Sequence, residues 1–330
     1  MNIRCTVFSL TKGERYEEPI RELGIDVVYA GKSRGRMTRM LKLQREMQRR
    51  GVTLVYSMHF FTNLYAAMVG RLLAVPEIGS MRNDCFSEIR AVGSLGKSSL
   101  KMPRVIAANS RLAMRNAESI GIDPQRLFFL PNVVDTARFQ PKADTTPTGK
   151  VALVGRLTKQ KRVDRMIDVV EELLRREVGL HCSIAGEGEE RRKLEDLVRE
   201  RSLEDAVTFI GNVNEIETVY HNIDVLCLTS EHEGTPNVAL EAMACGVPVL
   251  ATSVGGVPDI IQSGETGVLI DSYGTSAYAD ALQSLIEDHE RRTALGEAAR
   301  AYVESTHSPE ALDAYLQELL ERAQRKNAVD

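Results

Sequence analysis

The sequence predicts an α/β protein built of two doubly wound, Rossmann-like domains facing one another. Three observations lead there. With 330 residues, the chain is too long for one ordinary core and about right for two. Short apolar runs alternate with amphipathic stretches along both halves, the signature of a parallel sheet wrapped by helices. The alternation breaks once, at Gln140-Pro-Lys-Ala-Asp-Thr-Thr-Pro-Thr-Gly149, a polar stretch with two prolines and no periodicity.

In the first half, strands are expected at Ile3–Leu10, Asp26–Tyr29, Thr53–Ser57, Pro76–Ser80, Val105–Ala108 and Leu127–Leu130. Between the second and third lies Met37–Arg50, whose Met37, Met40, Leu41 and Met47 are read as one apolar helical face. The second half restarts at Lys150-Val-Ala-Leu-Val-Gly155. Strands follow at His181–Ala185, Val207–Ile210, Asp224–Leu228, Val247–Ala251 and Gly267–Ile270, with amphipathic helices such as Arg162–Arg176 and Glu190–Arg201 between them. Six strands with their helices complete a doubly wound domain. A Ser-Pro-Glu opening starts a last helix over Ser308–Lys326. The expected division is therefore 1–141, a linker at 142–149, a second domain at 150–307, and a terminal helix within 308–330.

Composition narrows the function. Aromatic residues make up 5% and there is no Trp, which argues against a ligand gripped mainly by aromatic stacking. The five cysteines fall at 5, 85, 182, 227 and 245 without C-x-x-C spacing, and are expected to be buried free thiols in a reducing compartment. No apolar run approaches the ~20 residues that span a bilayer, and the start lacks a signal-peptide pattern, so a cytoplasmic protein is expected. The net charge of −4 hides an asymmetry: residues 1–141 carry 22 Lys+Arg against 12 Asp+Glu, leaving 20 against 34 beyond. The segment Lys32–Arg50 holds eight basic residues and one acid, Glu46, so it could dock peripherally on anionic lipid at the inner membrane face. The plainer alternative is a sheet-covering helix with a solvated basic face. No nucleic-acid partner is expected.

Several motif-like stretches fail on inspection. Gly186-Glu-Gly188-Glu-Glu-Arg191 has Arg191 where a dinucleotide fingerprint needs its third glycine. Ala91-Val-Gly-Ser-Leu-Gly96-Lys97-Ser98 lacks the first P-loop glycine and follows no buried strand; a flexible basic loop is expected. His232-Glu233 lacks the second histidine of a zinc protease, Pro236 standing in its place. Neither a metal cluster nor Asp-x-Asp occurs, so no metal or other cofactor is expected.

The most telling stretch is Glu233-Gly-Thr-Pro-Asn-Val-Ala-Leu-Glu241, after an apolar strand and opening a helix that ends at Gly246. One carboxylate lies in the loop and one in the helix, behind free amides. Hydroxyls donate to carboxylates, and a helix N-terminus attracts anions, so the arrangement suits a polyhydroxylated ligand carrying phosphate. Gly155-Arg156-Leu-Thr-Lys-Gln-Lys161 adds cations at the carboxyl end of a strand, where open α/β sheets bind ligands. Arg156 offers a planar fork and Lys161 a point charge.

Two glutamates with seven residues between them resemble the donor-sugar signature of retaining, family 4-like glycosyltransferases of the GT-B fold. The resemblance extends through Ile184-Ala-Gly186-Glu-Gly188, Val207-Thr-Phe-Ile-Gly211, Ala242-Met-Ala-Cys-Gly-Val-Pro-Val and Gly255-Gly256-Val-Pro-Asp-Ile-Ile. It implies a retaining, metal-independent hexosyltransferase that uses a nucleotide-diphosphate sugar and a glycan or glycolipid acceptor. Arg156 and Lys161 would clamp the diphosphate, and Glu233 would hold sugar hydroxyls. Backbone amides of Gly234, Thr235 and Asn237 would face sugar or phosphate, Glu241 would bind the ribose, and Gly211 and Val213 would lie against the base. In the first half the match is looser: Tyr56-Ser-Met-His59, with His59 as a strand-end histidine, Asn109-Ser110 and Pro131-Asn132. In the GT-B fold the last helix crosses back onto the first domain.

Two departures matter. Where relatives often carry a histidine near the donor sugar, this chain has Arg82, which cannot exchange protons but could pair with phosphate or with an anionic sugar or acceptor. The relatives' opening strand, Gly-Gly-rich loop and helix have no counterpart ahead of Ile3–Leu10, so the first domain is expected to lack its first strand-loop-helix and to expose a sheet edge. Rival readings are a non-catalytic nucleotide-sugar-binding protein, a nucleotide-sugar epimerase, and a glycoside hydrolase using Glu233 and Glu241 as its carboxyl pair.

Overall fold

The computed structural model describes residues 3–13, 16–31, 35–141, 147–271 and 273–329. Part of the basic segment, Lys32–Arg34, and most of the expected linker, 142–146, lie outside the described residues.

The second half carries one six-stranded, all-parallel sheet. Its strands are β7 (Lys150–Val154), β8 (His181–Ala185), β9 (Val207–Gly211), β10 (Val225–Leu228), β11 (Val249–Thr252) and β12 (Val268–Ile270), in the spatial order β12-β11-β10-β7-β8-β9. β10 and β11 are wholly buried, as expected of parallel strands covered on both faces. Alternation along each strand sorts residues into two cores. Val151, Leu153, Val225 and Cys227 join α7 (Val163–Arg175), α8 (Arg191–Glu200) and α11 (Thr275–Glu287) on one face. Ala152, Val154, Leu226 and Leu228 join α9 (Glu217–His221), α10 (Asn237–Ala244) and α12 (His289–Thr306) on the other.

The first half is also all parallel but falls into two sheets. β1 (Thr6–Ser9) pairs with β2 (Asp26–Tyr29), while β3 (Val55–Tyr56), β4 (Glu77–Met81), β5 (Val105–Ala108) and β6 (Leu127–Phe129) form a four-stranded sheet. Among the described residues, β1 and β3 each pair on one side only. The two sheets share a core built by α2 (Arg36–Arg49) and α3 (Asn63–Leu73), in which Ala30, Met40, Leu43, Met47, Val55 and Val69 are buried. The remaining helices of this half are α1 (Glu17–Glu22), α4 (Phe86–Val92), α5 (Gly96–Lys101) and α6 (Arg111–Ser119).

The last helix, α13 (Pro309–Val329), lays Leu319 and Ala323 against Ile78, Val105 and Phe128 of the four-stranded sheet. Ser308 Oγ accepts the Ala311 N–H at its start.

Three expectations need correction. Met37 and Leu41 are 61% and 42% exposed rather than sharing the buried face of Met40 and Met47, because Leu43 completes that stripe. Ala91–Ser98 is not a loop: the end of α4, a short 3-10 turn and α5 run through it, and a Cβ on Gly96 would meet the Ile89 carbonyl oxygen at 2.3 Å. Of the cysteines, four are buried but Cys5 is exposed.

Candidate active site

The doubly wound order places β7 and β10 side by side at the centre of the second sheet, where helices change faces and loops diverge to leave a crevice. Both cation and carboxylate rise from that point. After β7 the chain makes a 3-10 turn, Lys159–Lys161, and then a left-handed residue, Arg162 (φ 48°). After β10 it runs through Ser230 to Glu233. Lys161 Nζ donates to Glu233 Oε1 at 2.6 Å, and Ser230 Oγ donates to the same oxygen at 2.6 Å. Glu233 is 7% exposed and the Lys161 side chain 15%. The two loops are held together by Gln160, whose side chain donates to the His232 carbonyl at 2.8 Å and whose carbonyl accepts the Glu231 N–H at 2.9 Å.

A third loop supports them from below. Gly255 is left-handed (φ 60°), and a Cβ there would lie 1.7 Å from the Glu233 carbonyl oxygen; one on Gly256 would lie 2.5 Å from the Gly234 oxygen. Only glycine allows this approach.

Glu233 leads into α10, whose cap residue, Pro236, makes no side-chain capping bond. Among the described residues, the N–H groups of Gly234, Thr235 and Asn237 donate to nothing. Free amides at a helix start carry partial positive charge. Glu241, further along α10, accepts from Tyr220 Oη at 2.8 Å, and burial raises its carboxyl above the usual range. Tyr220 is fully buried and its hydroxyl is pushed well up, chiefly by burial and then by the Glu241 charge. Beside Glu241 lies a cavity of about 100 Å³ lined by Val133, Val134, Asp135, Phe139, Asn237 and Leu240.

The first half presents a facing wall from the carboxyl ends of its own four-stranded sheet. Tyr56 ends β3, Arg82 follows β4, Asn109 follows β5 and Asn132 follows β6. Arg82 donates from Nη2 to Tyr56 Oη at 3.4 Å and from Nη1 to Asn132 Oδ1 at 3.3 Å. Asn109 Nδ2 donates to Asn132 Oδ1 at 3.1 Å. Asn132 Nδ2 then crosses to the second half, reaching Asn237 Oδ1 at 2.8 Å and the Thr235 carbonyl at 3.2 Å. Thr235 Oγ1 returns to the Asn109 carbonyl at 2.6 Å. The halves are thus stitched across the crevice, and a Cβ on Gly234 would lie 2.8 Å from the Arg82 carbonyl oxygen. Behind Arg82, Glu88 Oε1 accepts the Arg82 backbone N–H at 3.1 Å while its other oxygen is buried without a partner; burial pushes this carboxyl up to about 7.

The structure therefore brings Lys161, Glu233, Gly234, Thr235 and Asn237 together, with Arg82 opposite. Arg156 is exposed just beyond β7 and makes no ion pair among the described residues, so the expected double clamp is a paired lysine and an open arginine. His59 is exposed and stacked on Phe61 at 5.5 Å; it hydrogen-bonds through its ring to none of these groups. Gly211 is left-handed (φ 67°) at the end of β9, and Val213 is half-buried near Asn214, whose carbonyl accepts from Arg138. Sequence reasoning gave no role to Ser230, Tyr220, Glu88 or Asn132. Asn132 and Ser230 lie in stretches that carry the resemblance; Tyr220 and Glu88 carry no local signal. Among the described residues no group of three His, Cys, Asp or Glu side chains is placed to hold a metal.

Residues 134–302 match the family described as Glycosyl transferases group 1. The D-inositol 3-phosphate glycosyltransferase of Pseudarthrobacter chlorophenolicus is 31% identical over 264 residues, covering 76% of this chain and 60% of that protein. The N-acetyl-alpha-D-glucosaminyl L-malate synthase of Bacillus anthracis is 37% identical over 145 residues, 43% of this chain and 38% of that one. The chain thus spans from 38% to 60% of the length of these curated relatives. The fold matches the crystal structure of Anabaena HepE in complex with UDP, with a TM-score of 0.85 at 18% identity, over 96% of this chain and 91% of that one. The two Rossmann-like domains are those of the GT-B architecture, and the chain belongs to the group 1 glycosyltransferases.

Proposed function

We propose that this group 1 family member is a retaining, metal-independent glycosyltransferase, moving a sugar from a nucleotide-diphosphate sugar to a hydroxyl of a glycan or glycolipid. The carrying observation is the Lys161–Glu233 pair, seated at the sheet's switch point beside the unbonded amides that start α10. A diphosphate entering there meets Lys161, exposed Arg156 and the helix start, which together offset the charge that develops as it leaves. As Lys161 turns to phosphate, Glu233 is released to accept from sugar hydroxyls. In this reading Glu241, held by Tyr220 beside the small cavity, accepts from a ribose, and the Gly211–Val213 loop lies along the base.

In the reaction, the bond from the anomeric carbon to the phosphate oxygen breaks. The acceptor oxygen bonds to that carbon on the same face, and its proton passes to the departing phosphate. The name of the HepE structure supports UDP as the first nucleotide to try. The placement is cytoplasmic, with peripheral membrane contact. α2 supports the contact: it exposes Met37 and Leu41 among Arg36, Lys42, Arg45 and Arg49. Among the described residues no helix is long and apolar enough to cross a membrane.

The test is a thermal-shift and donor-hydrolysis screen against UDP-, GDP- and ADP-sugars, with and without EDTA. Stabilisation by one donor, indifferent to EDTA and abolished in Glu233→Ala and Lys161→Ala, is expected. Binding that requires a divalent cation overturns the metal-independent part, and no binding of any donor overturns the reading.

A further inference from the structure

Arg82 stands out once the other cations of the crevice are accounted for. Lys161 is neutralised by Glu233, and Arg156 is exposed, so water already solvates its charge. Arg82 is half-buried, yet among the described residues it makes no ion pair. Its two side-chain hydrogen bonds go to neutral oxygens, Tyr56 Oη and Asn132 Oδ1, at 3.4 and 3.3 Å, long for a charged donor. The nearby acids are turned elsewhere: Glu88 receives the Arg82 backbone N–H, and Asp84 receives Ser87 through both its N–H and its hydroxyl. A partly desolvated guanidinium whose hydrogen bonds go to neutral oxygens, and which Glu88 reaches by its charge but not by an ion-pair contact, retains a demand for an anion, and its fork matches carboxylate and phosphate in two-point contact.

Position turns that demand into specificity. Arg82 lies at the carboxyl end of β4, between the strand ends that carry Tyr56 and Asn109, with Asn132 locking it to the Glu233–Asn237 loop. In open α/β sheets ligands bind outside those strand ends. We propose that Arg82 is a specificity-determining residue that selects a substrate bearing a carboxylate or phosphate on the sugar or acceptor portion, apart from the donor's diphosphate. The inference rests on the glycosyltransferase reading for the identity of the substrate, but its charge preference is measurable without it.

Two arms of isothermal titration separate the sources of the charge. The donor arm compares UDP-glucuronate with UDP-glucose. The acceptor arm compares glucose 6-phosphate and glycerol 3-phosphate with glucose and glycerol, with and without saturating UDP. The expected result is a preference of at least tenfold for the charged member in one arm, erased by raising salt from 50 to 500 mM, lost in Arg82→Gln and partly kept in Arg82→Lys. UDP affinity is expected to stay within twofold in both variants. Equal binding of charged and neutral members by the wild type overturns the proposal, as does a preference that survives Arg82→Gln. A matching loss of UDP affinity in Arg82→Gln also overturns it, by making Arg82 a diphosphate ligand. Failure of the wild type to bind UDP at all refutes the donor reading instead, while the acceptor arm without nucleotide still decides the role of Arg82. If Arg82→Gln does not fold, the salt dependence of the wild type and the Arg82→Lys titration decide it.

Discussion

Replacing Lys161 by methionine keeps the length of the side chain and removes its charge, so it isolates the ion pair at the centre of the crevice. Glu233 would then be a carboxylate 7% exposed, with Ser230 Oγ as its remaining side-chain partner. Deleting one partner of a buried pair costs about 3–5 kcal/mol. The Lys161 side chain keeps 15% exposure and Ser230 stays bonded, so the lower end, about 3 kcal/mol, applies. At roughly 2–4 °C per kcal/mol for a unit of 150–250 residues, the second half should melt about 6–12 °C earlier. Glu233→Gln strands only a lysine that can swing into solvent, and should cost about 1 kcal/mol. If the pair is real, the double variant is less damaged than the sum of the singles, with a coupling of at least about 1.5 kcal/mol by thermal or urea unfolding. A coupling below about 0.5 kcal/mol refutes the reasoning, because the two groups would then be independent without ligand. The same cycle repeated with UDP should show a smaller coupling, since phosphate replaces Glu233 as the partner of Lys161.

Other outcomes follow from neighbouring groups. Gly255→Ala should abolish donor stabilisation while leaving the far sheet edge at β9 protected in hydrogen exchange, because its methyl would collide with the Glu233 carbonyl in a left-handed backbone. Asn132→Ala removes two bonds across the crevice, worth about 1 kcal/mol each, and should raise the radius of gyration in X-ray scattering. Burial holds His307 below its usual value while its Nδ1 donates to the Asn132 carbonyl at 2.7 Å. The unfolded state therefore binds the proton more readily, and this contribution is complete above about pH 6.5 and lost as pH falls below it. Glu88 has the opposite sign: its carboxyl, raised to about 7, favours the fold most below about pH 4.5 and loses that advantage as pH rises through 7. Glu88→Gln should consequently be more stable than wild type at pH 8 but not at pH 4.5, and its unfolding free energy should rise more steeply between pH 5 and pH 6.5.

Much of the fold was legible because parallel strands covered on both faces must be apolar almost throughout. Val105–Ala108 and His181–Ala185 were read to the residue, and Asp224–Leu228 to within one. The loop carboxylate and the following helix were legible for a local reason as well, since Glu233 and the uncapped start of α10 are close in sequence. What escaped depends on distance along the chain. Lys161 meets Glu233 across 72 positions, Tyr220 meets Glu241 across 21, and Arg82 meets Asn132 across 50. Residue spacing carries no information about such pairs until the strand order is known. The helices at 86–101 were missed because close packing of Gly96 on Ile89 looks, in sequence, like loop glycine. The division of the first sheet into two and four strands was equally invisible, since each strand has the same apolar character whichever neighbour it takes.

The two halves divide the electrostatic work. Residues beyond 141 carry 20 Lys+Arg against 34 Asp+Glu, and of the two cations they place at the crevice Lys161 is already paired while Arg156 is open to solvent. The first 141 residues carry 22 against 12, and the arginine they place opposite is unpaired. An anion approaching Lys161 must displace Glu233, so only a group that also satisfies the free amides of α10 gains from binding there; a diphosphate does and a lone carboxylate does not. An anion approaching Arg82 displaces no charge, only long bonds to a tyrosine hydroxyl and an amide. On the proposed reading the crevice sorts negative groups by their demands, with the multiply charged group going to the second half and the singly charged one to the first. On that reading one substrate satisfies both Lys161 and Arg82, which couples recognition of its two ends to the Asn132 bonds that cross between the halves.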